Sequence, residues 1–484
     1  MAGRSFGGAR HPAVNFVSFE FLAFLGAVYA FHWVLPHERA RKWLLSVASY
    51  LFYAAWDWRF CLLMMFVTVN AFAAGHLVST FERSGRKLAL AASIGVDIAV
   101  LAFFKYYNFF AANASASLAD LGFSGTLPVL QIVLPVGISF YTFHAISYVV
   151  DIFRRKIHPE SSFINVALYI SFFPQLIAGP IIRATFMMPQ IRHRRPFSRS
   201  QQAMGLRLLL RGFIYKALLA NMLADIADPV FAHLEQYDAH SLLTAVVAFY
   251  GQIYFDFAGY SSMAIGAARL FGYRFPRNFD YPYRSASVTE FWRRWHMSLS
   301  FWLRDYLYIP LGGNRGHWFA VYRNLMLTML LGGLWHGAAW NYVIWGLLHG
   351  FGLCVNKAWT AVRPSLPVGA NWQSGWWHTP AIILTQLWIM VAWVFFRCDS
   401  VADANSVLLS IVGLHPHPGT PIAPLELWIV LIIAIDHTLG SGVLRWSIPR
   451  GWARAVSWGG IGMLLALALA TMPLVQRPFM YFQF

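Results

Sequence analysis

A histidine inside an apolar segment is the residue best suited to chemistry in this sequence. His336 lies between Trp335 and Gly337 in the run LLGGLWHGAAWNYVIWGLLHG (330–350), one turn after Gly332 and Gly333. An imidazole is costly to place in a membrane and marks a functional site by default, and its ring can exchange protons or act as a nucleophile. The glycines allow close backbone approach or an interruption of the helix, through which a polar substrate would reach the ring.

His336 also has a simpler interpretation, because a buried histidine can merely bond to a neighbouring helix. His349 stands in a similar LHG setting, so spacing alone does not choose between the two histidines. Asp256, in the polar run QIYFDFAGYSSMAIG, either orients a catalytic histidine or ties helices together. Other polar residues within or near apolar segments are Glu20, Asp97, His144 and Asp436.

Residues 271–316 are too polar to span a membrane, yet they are rich in aromatic side chains. We expect Ser287 or Thr289 to cap an amphipathic helix that begins near Glu290, at the cytoplasmic interface. Its two faces are predicted to carry Trp292, Trp295 and Leu299 on one side, and Arg293, Arg294 and His296 on the other. The alternative is an aromatic belt with snorkelling arginines.

Several common catalytic motifs are absent from the sequence. It has no Gly-x-Ser-x-Gly elbow, no Walker loop, no His-Glu-x-x-His and no Cys or His pairs at metal-ligand spacing. Cys61, Cys354 and Cys398 are far apart in apolar contexts and give no disulfide framework. Hydrolase, ATPase and zinc chemistry are therefore not expected, and we predict no metal cofactor.

Composition determines which kind of protein must position these residues. The 484 residues are 58% hydrophobic and 12% charged, with a mean hydropathy of +0.52. About half the usual charge cannot cover a soluble surface. The long stretches are apolar all round, which excludes the alternation of a β-barrel. The sequence therefore predicts an all-α polytopic membrane protein.

The apolar segments give a topology when they are combined with the charges between them. They run over 16–34, 43–57, 60–80, 88–112, 128–153, 163–182, 204–228, 241–271, 319–335, 338–356, 379–396, 425–442 and 455–474. The basic clusters between them are Arg39/Arg41/Lys42, Arg83/Arg86/Lys87, Arg154/Arg155/Lys156, Arg192/Arg194/Arg195, Arg293/Arg294 and Arg445/Arg450/Arg454. If all of these clusters are cytoplasmic, the number of membrane crossings between them must be even. This holds if 163–182 is a broken helix that enters and leaves by the same face, which Pro174, Gly179 and Pro180 favour.

That topology places both termini outside the cytoplasm, together with the acidic loops 113–127 and 229–240. Arg4 and Arg10 argue against it, because they resemble the basic start of a signal sequence. The net charge of +17 is spread over short loop clusters. It therefore indicates topology and contact with anionic lipid, and not nucleic-acid binding.

Five motifs resemble the membrane-bound O-acyltransferase (MBOAT) family, in the bacterial branch that contains the alginate O-acetylation membrane protein. The motifs, in the family's order, are LPVGISFYTFHAISYVVDIFRR (134–155), FFPQLIAGPIIR (172–183), YFDFAGYSSMAIG (254–266), NFDYPYRSASVTEFWRRWHMSLSFWLRDYLYIPLGGNRG (278–316) and the 330–350 run. The resemblance covers about residues 16–396. His144 and Ser262 depart from the branch's usual residues, which bears on the substrate more than on the chemistry.

The resemblance implies an MBOAT-like ring of about 11–12 transmembrane helices with re-entrant and interfacial helices. A cytoplasmic funnel would admit the acyl donor, and a tunnel would lead to the opposite face. We expect residues 1–484 to form a single membrane domain, with 1–15 a flexible tail. Within this domain, 271–316 would be the cytoplasmic or interfacial motif region and 330–350 the region of the catalytic histidine.

Carried onto this chain, the family's catalytic histidine falls on His336, and the histidine of its RWH motif falls on His296, in a supporting role. Further supporting roles are expected for Asp256, Trp335 and Asp305. The phosphates of acetyl-CoA would be held at the cytoplasmic mouth by Arg293, Arg294, Arg304 and Arg315.

The function implied is transfer of acetyl groups from cytosolic acetyl-CoA across the bacterial inner membrane, for O-acetylation of alginate or a similar exported polysaccharide. A separate periplasmic acetyltransferase is the expected partner. Neutral His336 would act as general base or carry the acetyl group itself. Alternatives are peptidoglycan acylation or D-alanylation by the same chemistry, an anion or proton transporter, and a non-catalytic scaffold.

Overall fold

The computed structural model describes residues 15–123, 126–176, 179–193, 196–362, 377–440, 452–471, 477, 479 and 480. These residues contain no β-strand, and one isolated bridge joins Tyr237 to Thr420. The helices up to the middle of the chain are α1 (Phe19–Val34), α2 (Glu38–Asp57), α3 (Arg59–Thr80), α4 (Arg83–Asp120), α5 (Ile138–Phe153), α6 (Phe163–Ser171), α7 (Phe173–Leu176), α8 (Ala184–Arg192), α9 (Arg199–Ile214), α10 (Asn221–Ala232) and α11 (Ala239–Leu270).

The later helices are α12 (Val288–Arg294), α13 (Met297–Leu303), α14 (Trp318–His336), α15 (Trp340–Val362), α16 (His378–Arg397), α17 (Val401–Ile411), α18 (Glu426–Gly440) and α19 (Trp452–Ala470). Two short π-helical segments, Tyr215–Ala220 and Arg304–Tyr308, follow α9 and α13 directly. Single 3₁₀ turns occupy Leu234–Gln236 and Pro282–Arg284.

Four of the described helices are long and apolar enough to cross a membrane, namely α3, α4, α11 and α16. Shorter apolar helices are α1, α5 and α17. Together with the family evidence given below, these helices confirm the predicted all-α, multi-pass class. Large apolar side chains on the outer helices are exposed, as expected of surfaces that face lipid.

Helix α11 is the central element of the fold, because nearly all of its 32 residues are buried. It contacts α9, α10, α16, α17 and α18. Its N-terminus is capped by Asp238, which accepts hydrogen bonds from the Oγ and N–H of Ser241 at 2.6 and 2.8 Å. These hydrogen bonds lower the pKa of the Asp238 carboxyl group. Because α11 packs on so many partners, residues along it connect distant parts of the chain.

Small residues bring α9 and α11 into close contact. The two helices meet at two glycine pairs, Gly205 with Gly266 and Gly212 with Gly259. Along each helix, the two glycines are seven residues apart. A Cβ on Gly259 would lie 2.9 Å from the carbonyl oxygen of Gly212. Glycine is therefore required for this approach, as is typical of helix contacts in membranes.

Most predicted apolar segments correspond to single helices, but two are interrupted and in a third the helix begins late. The segment 163–182 breaks into α6 and the one-turn α7, and extended backbone follows at 180–183. The segment 204–228 contains the π-helical segment 215–220, and the helix predicted within 128–153 begins only at Ile138. The break in 163–182 agrees with the predicted interrupted helix.

Some expectations fall outside the described residues. They include residues 1–14 of the predicted tail and the basic residues Arg194, Arg195, Arg445 and Arg450. Asn15, the last residue of that tail, is buried. It accepts a hydrogen bond from the Tyr260 hydroxyl at 2.5 Å and donates to the Arg477 carbonyl oxygen at 3.1 Å.

Replacing Gly259 with valine should lower the thermal unfolding temperature of the detergent-purified protein, because the new side chain would push α9 away from α11. Overpacking of this kind costs about 1–3 kcal/mol. Gly26→Val in α1 is the matched control, since a Cβ at Gly26 has no neighbour within 4 Å. Equal unfolding temperatures for the two variants would contradict the close packing of α9 on α11.

Candidate active site

His336 is the last residue of α14, and the helix ends there because Gly337 has extended backbone angles. Helix α15 begins four residues later, at Trp340. The structure therefore has the helix interruption that the glycine-rich run allows. Helices α14 and α15 then pack closely: a Cβ on Gly333 would lie 3.1 Å from the Cα of Gly346.

The carbonyl groups at the end of α14 are bound by two side chains of α4. Lys105 Nζ donates to the carbonyl oxygens of Trp335 and His336 at 2.5 and 2.9 Å, and the Tyr106 hydroxyl donates to that of Leu334 at 2.7 Å. A helix C-terminus carries unsatisfied carbonyls and partial negative charge, so an ammonium group is a favourable cap. The cap fixes the backbone that carries His336.

Lys105 and Tyr106 were not among the site residues predicted from sequence. The available signal was a lysine in the middle of the apolar segment 88–112, since charged residues there are rare and usually functional.

Aromatic rings surround the His336 side chain, and the residue is only 4% exposed. Ring centroids of Trp345, Trp335 and Phe396 lie 4.7, 4.9 and 5.3 Å from that of His336. These rings exclude water from the imidazole and restrict its orientation.

His296 also contacts Trp335, with their ring centroids 6.2 Å apart. Its Nδ1 accepts a hydrogen bond from the Leu299 N–H at 3.2 Å. Among the described residues, its buried Nε2 has no hydrogen-bond partner. Trp335 therefore contacts both histidines of the predicted site.

The prediction of one amphipathic helix through this region is wrong. Ser287 caps α12 as expected, accepting from the Glu290 N–H at 3.1 Å, but α12 ends at Arg294 and α13 begins at Met297. His296 has φ +41° between them. Because its Nδ1 caps α13, the ring turns inward and the residue is 1% exposed, instead of lying on the polar face.

His349 differs from His336 in a way that the sequence does not reveal. It lies in the middle of α15, and its Nδ1 accepts from the Trp292 indole N–H at 3.2 Å. Trp345 contacts both histidines, with its ring centroid 4.6 Å from that of His349 and 4.7 Å from that of His336. His336 alone of the two stands at a helix end.

Asp256 does not bond to a histidine among the described residues. Its carboxylate pairs with Lys216 Nζ at 2.6 Å and accepts from the Met480 N–H at 3.0 Å. His144, the residue that departs from the usual motif, accepts from the Ile182 N–H at 3.1 Å and anchors the backbone after α7.

The four arginines predicted to hold the donor have different surroundings. Arg293 and Arg315 are exposed, and Arg294 pairs with Glu290 at 2.9 Å. Arg304 is 52% exposed and its Nε lies 2.7 Å from Asp305.

Two further arginines join this group around the buried Asp305. Arg183 pairs with the Asp305 carboxylate, and Arg154 donates to the Asp305 carbonyl oxygen at 2.8 Å. The structure thus gathers Arg154, Arg183 and Arg304 around one aspartate.

A cavity of about 160 Å³ lies beside Arg304, and we name it the Arg304 cavity. Its walls are mostly apolar and include Leu303, Met329 and Trp292. The Trp292 ring is 5.8 Å from that of Trp345, which in turn packs against His336. Edge-to-face contacts of Trp292 with Trp345, and of Trp345 with His336, therefore connect the wall of the Arg304 cavity to His336.

A model of the membrane-bound O-acyltransferase family matches residues 153–398. The chain belongs to this family. It is 41% identical over 393 residues to a probable alginate O-acetylase of Pseudomonas aeruginosa, covering 81% of this chain and 72% of that relative. Identity to a peptidoglycan O-acetyltransferase of Helicobacter pylori is 35% over 406 residues, with coverage of 78% and 74%. Identity to a teichoic acid D-alanyltransferase of Streptococcus thermophilus is 33% over 249 residues, with coverage of 48% and 59%.

This MBOAT protein is thus a multi-pass O-acyltransferase. All of the site residues predicted from sequence lie within the matched range 153–398, whereas Lys105 and Tyr106 lie before it. A motif comparison limited to that range does not include these two residues. Their contact with α14 forms only when the chain folds.

Replacing Lys105 with methionine should lower the turnover number of this MBOAT enzyme, because the backbone of His336 loses its cap. Misplacement of a catalytic group by about 1 Å can cost about a hundredfold in rate. Lys87→Met is the matched control, an exposed lysine on the same helix. We expect the Michaelis constant for the donor to change little. Unchanged turnover by a folded Lys105→Met protein would contradict a positioning role.

Proposed function

We propose that this protein transfers acetyl groups from cytosolic acetyl-CoA across the bacterial inner membrane, for O-acetylation of an exported polysaccharide of the alginate type. The observation that carries the proposal is His336, held at an interrupted helix end among aromatic rings and capped from α4. The names of the relatives support the acetyl group and the alginate-like acceptor. Alginate is preferred as the acceptor because identity to the alginate O-acetylase, 41%, exceeds the 35% and 33% to the peptidoglycan and teichoic acid enzymes.

Two chemical routes are compatible with His336. As general base, its imidazole would take the proton of an attacking hydroxyl while the hydroxyl oxygen bonds to the thioester carbonyl and CoA leaves as its thiol. As acyl carrier, a ring nitrogen would attack the thioester first and expel CoA as its thiol. The acceptor hydroxyl would then take the acetyl group, and its proton would go to the departing imidazole. His296, which also contacts Trp335, would support either route.

The donor would enter from the side of the arginine group. Arg304 stands at the Arg304 cavity, with Arg183 and Arg154 around Asp305, so an anionic phosphate group would meet several guanidinium groups there. The apolar walls of the cavity suit the uncharged part of the donor. Trp292 and Trp345 lie between this cavity and His336, and their movement would open the remaining path.

The partner would be a separate periplasmic acetyltransferase that receives the acetyl group and passes it to the polysaccharide. This step is carried over from the family resemblance, as is the single-domain organisation over residues 1–484.

His336→Ala should abolish most acetyl transfer from radiolabelled acetyl-CoA in proteoliposomes that also contain a candidate partner. Loss of a general base costs about 10²- to 10⁴-fold in rate. His349→Ala is the matched control, another buried histidine beside Trp345, and it should retain more activity. Wild-type transfer by His336→Ala at equal membrane abundance would contradict the assignment. No turnover by the folded wild-type protein under any condition would favour the transporter or scaffold alternatives.

Arg304→Glu should raise the Michaelis constant for acetyl-CoA, because a carboxylate would replace a donor-facing cation. Loss of a charge-assisted hydrogen bond is worth about tenfold or more in affinity. Arg277→Glu is the control, at a position 78% exposed and paired only locally with Asp280. Arg294 is a poorer test, since it is not among the residues that line the Arg304 cavity. An unchanged Michaelis constant for acetyl-CoA in Arg304→Glu would contradict donor binding by these arginines. Their positive charge would then serve only the membrane topology.

A further inference from the structure

A second cavity, of about 250 Å³, lies between α10 and α11, away from the histidines. We name it the Lys216 cavity. Polar side chains from three elements line it: Lys216 from the π-helical segment, Asn221 and Asp228 from α10, and Gln252 and Asp256 from α11. None of the three histidines near Trp335 or Trp345 lines this cavity.

The Lys216 cavity has one closed end, where the lining side chains are buried, and one open end, where they are partly exposed. At the closed end, the side chains of Lys216 and Asp256 are 5% and 3% exposed and form an ion pair. At the open end, the side chains of Asp228 and Arg477 are 39% and 35% exposed. The acidic loop 229–240 follows Asp228 directly, and the sequence predicts that this loop faces outward.

Two arginine side chains complete the walls near the opening. Arg397 pairs with Asp228 at 3.2 Å, and its guanidinium stacks over the Phe231 ring at 4.8 Å. Arg477 donates to the Asn221 carbonyl oxygen at 3.2 Å and pairs with the exposed Asp225 at 2.7 Å. The lining contains more cationic than acidic side chains, and guanidinium groups bind carboxylates well.

Two buried amide side chains in the lining point to a ligand. Gln252 is 8% exposed and Asn221 is 6% exposed. Within the described part of the chain, the oxygens Gln252 Oε1 and Asn221 Oδ1 have no hydrogen-bond partner. Buried polar atoms are normally satisfied, so these two acceptors call for donors such as the hydroxyl groups of a bound molecule.

The backbone beside the cavity is also unusual. Lys216 belongs to the π-helical segment Tyr215–Ala220, and π-helical turns occur mostly at functional sites. The other π-helical segment, Arg304–Tyr308, contributes Arg304 and Tyr308 to the walls of the Arg304 cavity. Each described π-helical segment therefore supplies a cation to one of the two cavities.

We propose that the Lys216 cavity binds an acidic sugar unit, with its carboxylate at Arg477 and Arg397 and its hydroxyl groups at Gln252 and Asn221. The volume lies below the roughly 300–1,000 Å³ of sites for larger ligands, which suits one sugar residue. That the sugar belongs to the polysaccharide acceptor rests on the proposed function. The opening toward the predicted outward loop agrees with an exported ligand. The O-acyltransferase would then contact the acceptor chain directly, in addition to any contact through its partner.

The proposal is tested by calorimetric titration of the detergent-purified full chain with a tetramer of mannuronate, free glucuronate and the neutral tetramer cellotetraose. We expect the acidic tetramer to bind, and to bind more tightly than either control. Arg477→Gln should weaken this binding at least about tenfold and Gln252→Leu severalfold, because each removes a hydrogen-bonding group. Arg277→Gln, far more exposed, should bind like the wild type.

The results of the titration test this site independently of the proposed acetyl transfer. No binding of the acidic tetramer to folded wild-type protein, or binding that neither Arg477→Gln nor Gln252→Leu weakens, would overturn the proposal. Equal binding of cellotetraose would overturn the role of the carboxylate, and equally tight glucuronate binding would overturn the polysaccharide source. Because the titration needs no acetyl-CoA, an inactive His336→Ala protein should still bind the tetramer.

Discussion

A helix that ends among buried side chains leaves carbonyl groups that water cannot reach, and this constraint governs the candidate active site. The end of α14 satisfies it with Lys105 and Tyr106 from α4, which bind three successive carbonyl oxygens. The helix is interrupted at His336 without leaving these carbonyl groups unpaired. The position of the histidine therefore depends on a helix more than two hundred residues away in the chain.

The same solution, an interrupted helix stabilised by neighbours, recurs around the site. His296 stands at the break between α12 and α13, and its own ring caps the second helix. The π-helical segments widen the helical turn at Lys216 and at Arg304, beside the two cavities. Regular helices satisfy their own backbone and leave little room for ligands, so polar chemistry in this protein gathers where helices break.

Aromatic rings connect these breaks. Trp335 contacts both His296 and His336, and Trp345 contacts both His336 and His349, each with the rings edge to face. These contacts surround the histidines with apolar rings, and Trp292 extends the contacts to the Arg304 cavity. A rearrangement of a few indole rings would connect that cavity with His336, whereas movement of whole helices is opposed by the glycine contacts of α9 with α11 and of α14 with α15.

From the sequence alone follow the helical membrane class and two candidate caps, Ser287 and Thr289, because apolar length and capping residues act locally. The motifs, which are contiguous in the chain, also identify the family. The folded chain then shows which histidine ends a helix, that Ser287 is the cap, that His296 turns inward at positive φ, and that Asp256 pairs with Lys216. It also revealed Lys105, since a lysine becomes a cap only when another helix ends against it. Such contacts join residues far apart in sequence, so no local pattern encodes them.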